Sequence, residues 1–387
     1  MSKINLGKID PAMATLPADT EGIHWHLPFE SPMTLAGFYW FETDGIYERL
    51  PIAGRPDRVT RFLQGEKTVV EGKDCGAFIL SPQTAGGQIR FRTDSTRIML
   101  QGEMREDSMM DNMAKTGSDG FDLYIKESDG WRFYGVTRTD HKTLTFSATI
   151  CSGLKKRMRD VLIHFPLYNG VKNVFVGLEE DAMVEEATPF ADPRPIIFYG
   201  TSITQGGCAS RPGMCSSNIL SRLLEQEVIN LGFSGSGIGE PEIAQMLAEI
   251  KNPALYLLDY CWNVDLKALA ITLPNMIDTI RKEHPTVPIL LLAPTPGREQ
   301  QVEFETPDKT LKQKADIMRD ETCRRNQQGD DKVFFFDALY DCLGMEPMEC
   351  TVDGCHLTDM GFYFFSKSIL PHIYHALGKK IESTAKP

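Results

Sequence analysis

The hydrophobic pattern of the chain changes at about Pro195, and this change constrains the fold more than any other feature. Before it, short segments alternate apolar with polar residues, and after it five apolar segments are separated by stretches of helical periodicity. Alternation is typical of antiparallel strands with one face in water, whereas apolar strands between helices are typical of a parallel sheet. Two domains of different class are therefore predicted. The length agrees, because 387 residues exceed the roughly 250 to 300 at which a single core stops growing.

The amino-terminal part is predicted to be an all-β sandwich of the jelly-roll kind. Turn signals such as Ser128–Asp129–Gly130 and Asn169–Gly170 separate its segments, as in antiparallel sandwiches. The predicted strands are 37–42, 87–93, 97–104, 121–127, 131–137, 143–150, 160–166 and 173–178. The aromatic residues of this part could stack on sugar rings, but we favour a role in the core. They include Tyr39, Trp40, Phe41, Trp131 and Tyr134.

The carboxy-terminal part is predicted to be a three-layer α/β domain with a parallel five-stranded sheet. Its strands are expected at 196–199, 228–232, 254–260, 288–293 and 332–337. Helices are expected at 216–226, 240–251, 266–284, 307–328 and 360–376, with Pro274 favouring a start of the third at Leu273. The predicted division is an N-terminal extension (1–22), a sandwich (23–184), an acidic, proline-bearing linker (185–195) and the α/β domain (196–387).

Ser202 is the candidate nucleophile. It follows the apolar run Ile196–Tyr199 in the sequence PIIFYGTSITQGG, where Gly200 ends the strand. The carboxyl ends of parallel strands form the edge at which ligands bind in open α/β sheets. The alternative is that Ser and Thr in a glycine-rich loop only satisfy backbone groups.

Three later segments place suitable partners at the same sheet edge. Gly235 lies in a glycine-rich turn after the second strand, and Asn263 follows the third. Main-chain N–H groups, as at Gly235, and side-chain amides, as at Asn263, are the donors that form oxyanion holes. Asp353 and His356, three residues apart after the last strand, can supply a general base and its orienting carboxylate. Each has a plainer alternative: Gly235 as a turn glycine, Asn263 as a helix cap, Asp353 as an Asx-turn and His356 as a surface residue.

These residues resemble the four conserved blocks of the SGNH hydrolases, the superfamily that contains the GDSL esterases and lipases. The resemblance implies a flavodoxin-like domain in which Ser202 is the nucleophile, His356 the general base and Asp353 its partner. It also implies an oxyanion hole made by the N–H groups of Ser202 and Gly235 and the side chain of Asn263. The chain departs from the family pattern at Thr201, where an Asp is usual, and at Cys261, where a Gly is usual.

Charge and cysteine usage argue against nucleic-acid-binding, membrane-binding and disulfide-rich proteins. The net charge of −12 without a Lys/Arg-rich block disfavours nucleic-acid and membrane partners. Nine cysteines without a CxxC pair indicate reduced thiols, and no metal or cofactor is expected. A zinc site at Cys350, Cys355 and His356 would need another ligand, from Cys208 or Cys215, while His24 and His26 are expected in a partly buried strand. The first twenty residues lack the apolar core of a secretory signal, so a cytoplasmic location is expected.

The resemblance to the SGNH hydrolases implies a serine esterase that removes a short acyl group, such as acetyl, from a carbohydrate or a similar small ester. Two alternatives stay open. An acyltransferase would use the same acyl-enzyme with an alcohol acceptor in place of water, and a non-catalytic glycan-binding protein would carry a relict SGNH-like domain.

Overall fold

The computed structural model describes residues 19–41, 46–50, 76–108, 110–138, 143–297, 303, 305, 309–342 and 347–380. The amino-terminal part is an antiparallel sandwich with one core between its sheets. Its strands are β1 (Ile23–His26), β2 (Thr34–Ala36), β3 (Gln88–Thr93), β4 (Ile98–Met104), β5 (Asp122–Glu127), β6 (Gly130–Val136), β7 (Thr145–Cys151), β8 (Arg159–His164), β9 (Val171–Glu179) and β10 (Val184–Glu185). One sheet has the order β1-β9-β4-β7, and the other has the order β10-β3-β8-β5-β6 with β2 added to β3. The described residues of this part also form the short helices α1 (Gly76–Leu80) and α2 (Lys115–Ser118).

The strand predicted at 37–42 is wrong for residues 37–41, of which 37–40 form a bend and a turn and 41 is helical; residue 42 lies outside the described residues. Gly37 has a left-handed φ of +83°, and the aromatic residues after it enter different cores. Phe38 packs edge-on against Phe165 in the sandwich, whereas Trp40 joins the core of the α/β part. The segment therefore bridges two cores instead of lying in a sheet. Among the other aromatic residues, Tyr134 is 42% exposed, so the expectation that it is core is also wrong.

The carboxy-terminal part is a three-layer α/β domain, as predicted. Its strands are β11 (Asp192–Gly200), β12 (Gln226–Gly232), β13 (Leu255–Asp259), β14 (Ile289–Leu292) and β15 (Val333–Phe336). The helices are α3 (Ser202–Gln205), α4 (Ser216–Leu224), α5 (Pro241–Glu249), α6 (Leu266–Glu283), α7 (Thr310–Gln327), α8 (Ala338–Asp341) and α9 (Asp359–Ala376). The sheet is parallel with the order β12-β11-β13-β14-β15, which is flavodoxin-like.

Alternate residues of the central strand serve two cores. Ile197 and Tyr199 of β11 pack with α5, α6 and α7 on one face, while Ile196 and Phe198 pack with α4 and α9 on the other. Burial on both faces explains why these strands read as continuous apolar runs in the sequence. No helix within the described ranges has the length and apolar character needed to cross a bilayer.

Two boundaries differ from the prediction. Strand β11 starts at Asp192, inside the segment predicted to be a linker. Helix α6 starts at Leu266 rather than Leu273, because Asp265 caps it by accepting from Ala268 N at 2.8 Å. The helix continues through Pro274, since the carbonyl that loses its partner there belongs to exposed Ala270.

A buried polar cluster joins the sandwich to the α/β part. Asp122 of β5 contacts His164 Nδ1 at 2.7 Å and Arg211 Nη1 at 3.0 Å, and it accepts from Gly213 N at 2.8 Å. Burial opposes the charged carboxylate, but His164 and the nearby Arg211 and Arg222 guanidinium groups outweigh it and lower the pKa of Asp122. The cluster fixes the segment that follows the Ser202 helix, so the sandwich helps to position the candidate site.

Candidate active site

Ser202 lies at the start of α3, two residues beyond the end of β11. Gly200 makes this sharp turn possible, because a Cβ there would lie 2.0 Å from Thr204 Oγ1 and 2.6 Å from the Asp259 carbonyl oxygen. Thr201 caps the helix by accepting from Ile203 N. Strand and cap together fix the backbone of Ser202, whose residue surface is 7% exposed.

His356 and Asp353 reach Ser202 from the loop before α9. His356 Nε2 lies 2.9 Å from Ser202 Oγ, and Nδ1 lies 2.8 Å from Asp353 Oδ2. The loop is closed by Val352 N, which donates to the His356 carbonyl at 2.8 Å. The structure thus brings together all three residues of the predicted serine, histidine and aspartate set.

Asp353 makes an Asx-turn and contacts the imidazole at the same time. Its Oδ1 accepts from the main-chain N–H groups of Cys355 at 3.1 Å and His356 at 2.8 Å, leaving Oδ2 for the ring. Partial burial raises the pKa of Asp353, but the bonds from His356 and Cys355 outweigh it and lower the pKa to about 2. The carboxylate is therefore charged whenever the neighbouring imidazole gains a proton.

The two other predicted donors lie on neighbouring turns of the same edge. Gly235 has a φ of +65°, in a turn held against the end of β11 by a bond from Phe233 N to the Gly200 carbonyl at 3.0 Å. Asn263 ends the short 3-10 helix Cys261–Asn263, and its Nδ2 donates to the carbonyl of Ser236. Asn263 is not the helix cap, a role taken by Asp265.

A buried carboxylate on the neighbouring strand contacts helix α3, which carries Ser202. Asp259 lies at the end of β13 opposite Gly200 and accepts from Thr204 Oγ1 at 2.8 Å. Burial raises the pKa of Asp259 to about 7, and the bond from Thr204 only partly offsets this. The contact ties helix α3 to the centre of the sheet.

Sequence reasoning missed two residues that the sandwich contributes to the site. Tyr168 is buried, and its hydroxyl donates to the Ser202 carbonyl at 3.3 Å. Asn112 Nδ2 donates to Asp353 Oδ2 at 3.3 Å across 241 positions of the sequence. Both lie in loops without a catalytic motif. The one available signal was Asp122, an acidic residue at the start of β5 directly before the apolar Leu123, since Asp is normally depleted in strands.

The cysteines are arranged differently from the zinc set considered above. The group that has metal-ligand character among the described residues contains Cys208, Asp353 and His356, with one ligand atom of each within 4.8 Å of the others. Cys350 is buried, and Cys215 precedes α4 and contacts Ser217 Oγ at 3.3 Å. His24 and His26 form the predicted strand around Trp25, with their rings 4.7 Å apart.

Two family models match the chain. Residues 193–374 match the GDSL-like lipase/acylhydrolase family, and residues 23–184 match the N-terminal domain of SGNH-type esterases, named GxDLY. The second name corresponds to Gly120–Phe121–Asp122–Leu123–Tyr124 here, which includes the buried carboxylate between the two parts. No curated protein sequence matches the chain.

Solved structures share the fold over 76% to 93% of this chain. One described as a GDSL-like lipase from Bacteroides ovatus is 26% identical with a TM-score of 0.81, covering 93% of this chain and 100% of that one. A salicylyl-acyltransferase from a tetracycline biosynthetic pathway is 18% identical with a TM-score of 0.69, covering 93% and 99%. A family two carbohydrate esterase from Clostridium thermocellum, in complex with cellohexaose, is 14% identical with a TM-score of 0.56, covering 76% and 93%. The chain therefore belongs to the GDSL-like lipase/acylhydrolase family and is an ester hydrolase of the SGNH type.

Proposed function

We propose that the protein is a serine esterase that hydrolyses a short acyl ester, such as an acetyl ester, of a carbohydrate or a similar small molecule. The observation that carries the proposal is the continuous contact from Ser202 Oγ through the His356 ring to Asp353, at 2.9 and 2.8 Å. This is the arrangement that activates a serine hydroxyl toward an ester carbonyl.

In the proposed acylation step, His356 Nε2 takes the proton of Ser202 Oγ as the oxygen attacks the carbonyl carbon. The tetrahedral oxyanion receives hydrogen bonds from the N–H groups of Ser202 and Gly235 and from the Asn263 amide. The imidazolium then gives its proton to the leaving alcohol, and the acyl group stays on Ser202. In the second half of the reaction, His356 Nε2 takes a proton from water as the water oxygen attacks the acyl carbon. The imidazolium then returns the proton to Ser202 Oγ, and the acid is released.

Asp353 is proposed to hold the ring in the tautomer that leaves Nε2 free to accept a proton. Its low pKa supports this role, because a charged carboxylate stabilises the imidazolium that forms during each step. Asn112 and Tyr168 are proposed as positioning residues, since they contact the Asp353 carboxylate and the Ser202 backbone rather than reacting atoms.

The choice of substrate class is supported by how the three residues are exposed. The Ser202 residue is 7% exposed, whereas the side chains of His356 and Asp353 are 26% and 36% exposed. This difference favours a small acyl group at the enclosed Ser202 and a bulkier alcohol, such as a sugar, on the open side of His356 and Asp353. The carbohydrate esterase and the acyltransferase found among similar structures share this fold, so both alcohol leaving groups and alcohol acceptors are worth testing.

The proposal is tested by acetate release from p-nitrophenyl acetate and from a panel of acetylated sugars. Ser202→Ala is expected to lower kcat by up to about 10⁶ while the protein stays folded, because it removes the covalent centre. Ser210→Ala is the matched control, since the Ser210 hydroxyl bonds Asp359 rather than His356. Retention of more than about a tenth of the wild-type kcat by Ser202→Ala would rule out this nucleophile.

Excess sugar or simple alcohol acceptors separate hydrolysis from transfer. A hydrolase releases acetate at the same rate with and without acceptor, whereas an acyltransferase forms the acylated acceptor instead. Sugar binding without turnover of any ester would identify a non-catalytic glycan-binding protein.

A further inference from the structure

Cys208 lies beside the proposed serine, histidine and aspartate set but has no part in the ester chemistry. Its Sγ, an Asp353 carboxylate oxygen and a His356 ring nitrogen all lie within 4.8 Å of one another. The residue is 8% exposed and has a left-handed φ of +74°, which is uncommon for any residue other than glycine. A strained backbone that holds a thiol at such a place calls for a functional explanation.

The three groups form a chemically coherent ligand set. Thiolate sulfur, imidazole nitrogen and carboxylate oxygen are the ligands of Zn²⁺, at about 2.3 Å for sulfur and about 2.0 to 2.2 Å for the others. Tetrahedral coordination at these lengths places ligand atoms roughly 3.3 to 3.7 Å apart, so a closure of about 1 Å brings the three protein ligands into range and leaves the fourth position to water. Mg²⁺ and Ca²⁺ prefer oxygen ligands and are not suited to a thiolate.

We propose that Cys208, Asp353 and His356 bind Zn²⁺ or a similar thiophilic divalent cation and that this binding switches off the esterase. The predicted inhibition rests on the proposed function. Both ring nitrogens of His356 already have contacts within the proposed catalytic set. Nε2 lies 2.9 Å from Ser202 Oγ and Nδ1 lies 2.8 Å from Asp353 Oδ2. Coordination through either nitrogen breaks one of these contacts and removes the general base.

Metal binding has a defined proton balance. The cation displaces the proton of the Cys208 thiol, forming one metal–sulfur bond and releasing one H⁺ to solvent.

Binding is tested without any turnover by titrating the full-length protein with Co²⁺ and following the thiolate-to-cobalt charge-transfer absorption. We expect a saturable band that Cys208→Ser abolishes and that Cys355→Ser retains, because Cys355 is the neighbouring thiol outside the set. Cys208→Gly is the second variant; glycine accepts the left-handed backbone, so it keeps the fold while removing the ligand. A band that persists unchanged in both Cys208 variants would overturn the proposal.

Inhibition is tested by adding Zn²⁺ during p-nitrophenyl acetate turnover. We expect inhibition that EDTA reverses and that Mg²⁺ does not reproduce, weakened by at least about tenfold in Cys208→Ser with its metal-free rate unchanged. Equal inhibition of both proteins, or activation by Zn²⁺, would overturn the proposal. The two assays separate the failures: a Cys208-dependent cobalt band without esterase activity contradicts the proposed function alone. Esterase activity without such a band contradicts the metal site alone.

Discussion

Replacement of Asp353 by asparagine tests the proposed roles of the histidine loop. The side chain keeps its size and loses its charge, but its two ends are no longer equivalent. Oδ1 of Asp353 accepts two main-chain N–H groups, from Cys355 and His356, and an amide nitrogen cannot accept either of them. The asparagine oxygen must therefore take this position, and its NH₂ group then faces His356 Nδ1.

The magnitude of the effect follows from this orientation. Turning the amide over would leave two main-chain donors without an acceptor and regain fewer bonds, so the first orientation is favoured by at least about 1 kcal/mol. An NH₂ group facing Nδ1 selects the tautomer with the proton on Nε2, which cannot accept the proton of Ser202. A wrong tautomer of this kind lowers kcat by about 10⁴ in another serine hydrolase. We expect a decrease of about 10³ to 10⁴ here, smaller than that of His356→Ala, which lacks the base altogether.

The assay is the pH dependence of kcat and kcat/KM from about pH 5 to 9 for the wild type, Asp353→Asn and His356→Ala. The pKa of Asp353 is lowered to about 2, so this carboxylate stays charged over the whole range. A loss of activity toward low pH therefore does not come from Asp353. Activity of Asp353→Asn within about tenfold of the wild type would refute the tautomer argument. If His356→Ala lost activity toward low pH in the same way as the wild type, the general base would be another residue, with His24 and His26 the next candidates.

Asn263→Ala is expected to lower kcat by roughly 10² to 10³ with little change in KM, as loss of an oxyanion donor does; a change in KM alone would make Asn263 a substrate-binding residue. Asn112→Ala should lower kcat/KM by less than about tenfold, because one hydrogen bond to Asp353 is lost; a larger decrease would give Asn112 a direct catalytic role. Asp122→Ala is expected to lower the free energy of unfolding in urea by about 3 to 5 kcal/mol, since it leaves Arg211 and Arg222 without their buried counter-charge; a loss below about 1 kcal/mol would contradict this. In the folded protein burial raises the pKa of Asp259 to about 7, above an unfolded value near 3.9, so the folded state retains the proton and loses stability as pH rises from about 4 to 7. Asp259→Asn should remove that slope and unfold at higher urea concentration than the wild type at pH 8; equal pH slopes for the two proteins would contradict the argument.

The strands and helices of the α/β part could be predicted closely because each is recognised from residues that are neighbours in the sequence. Each strand of the parallel sheet is buried on both faces, so each is a continuous apolar run between helices, and all five predicted strands are present. The segment 37–42 was predicted wrongly because its aromatic residues resemble a strand but fill two different cores. Local propensity does not record which core an aromatic side chain enters.

The candidate site was predictable to the extent that its residues follow strands. A parallel sheet collects the carboxyl ends of its strands at one edge, which is why Ser202, Gly235 and Asn263 were assigned to one site before any distance was known. Asp353 and His356 were added by their spacing and by the family resemblance. The contact of 2.9 Å between Ser202 and His356 spans 154 positions and is set by the packing of α9 on the sheet.

The contributions of the sandwich to the site were decided only by the tertiary structure. Asn112 and Tyr168 lie in segments without a motif, and these two residues and Asp122 contact the α/β part only when the two parts pack together. Cys208 likewise meets Asp353 and His356 only because the turn after α3 and the loop before α9 lie side by side. The sequence by itself determined the strands, the helices and the order of the catalytic blocks, since these depend on neighbours along the chain. The contacts that orient those blocks depend on neighbours in space, and folding alone supplied them.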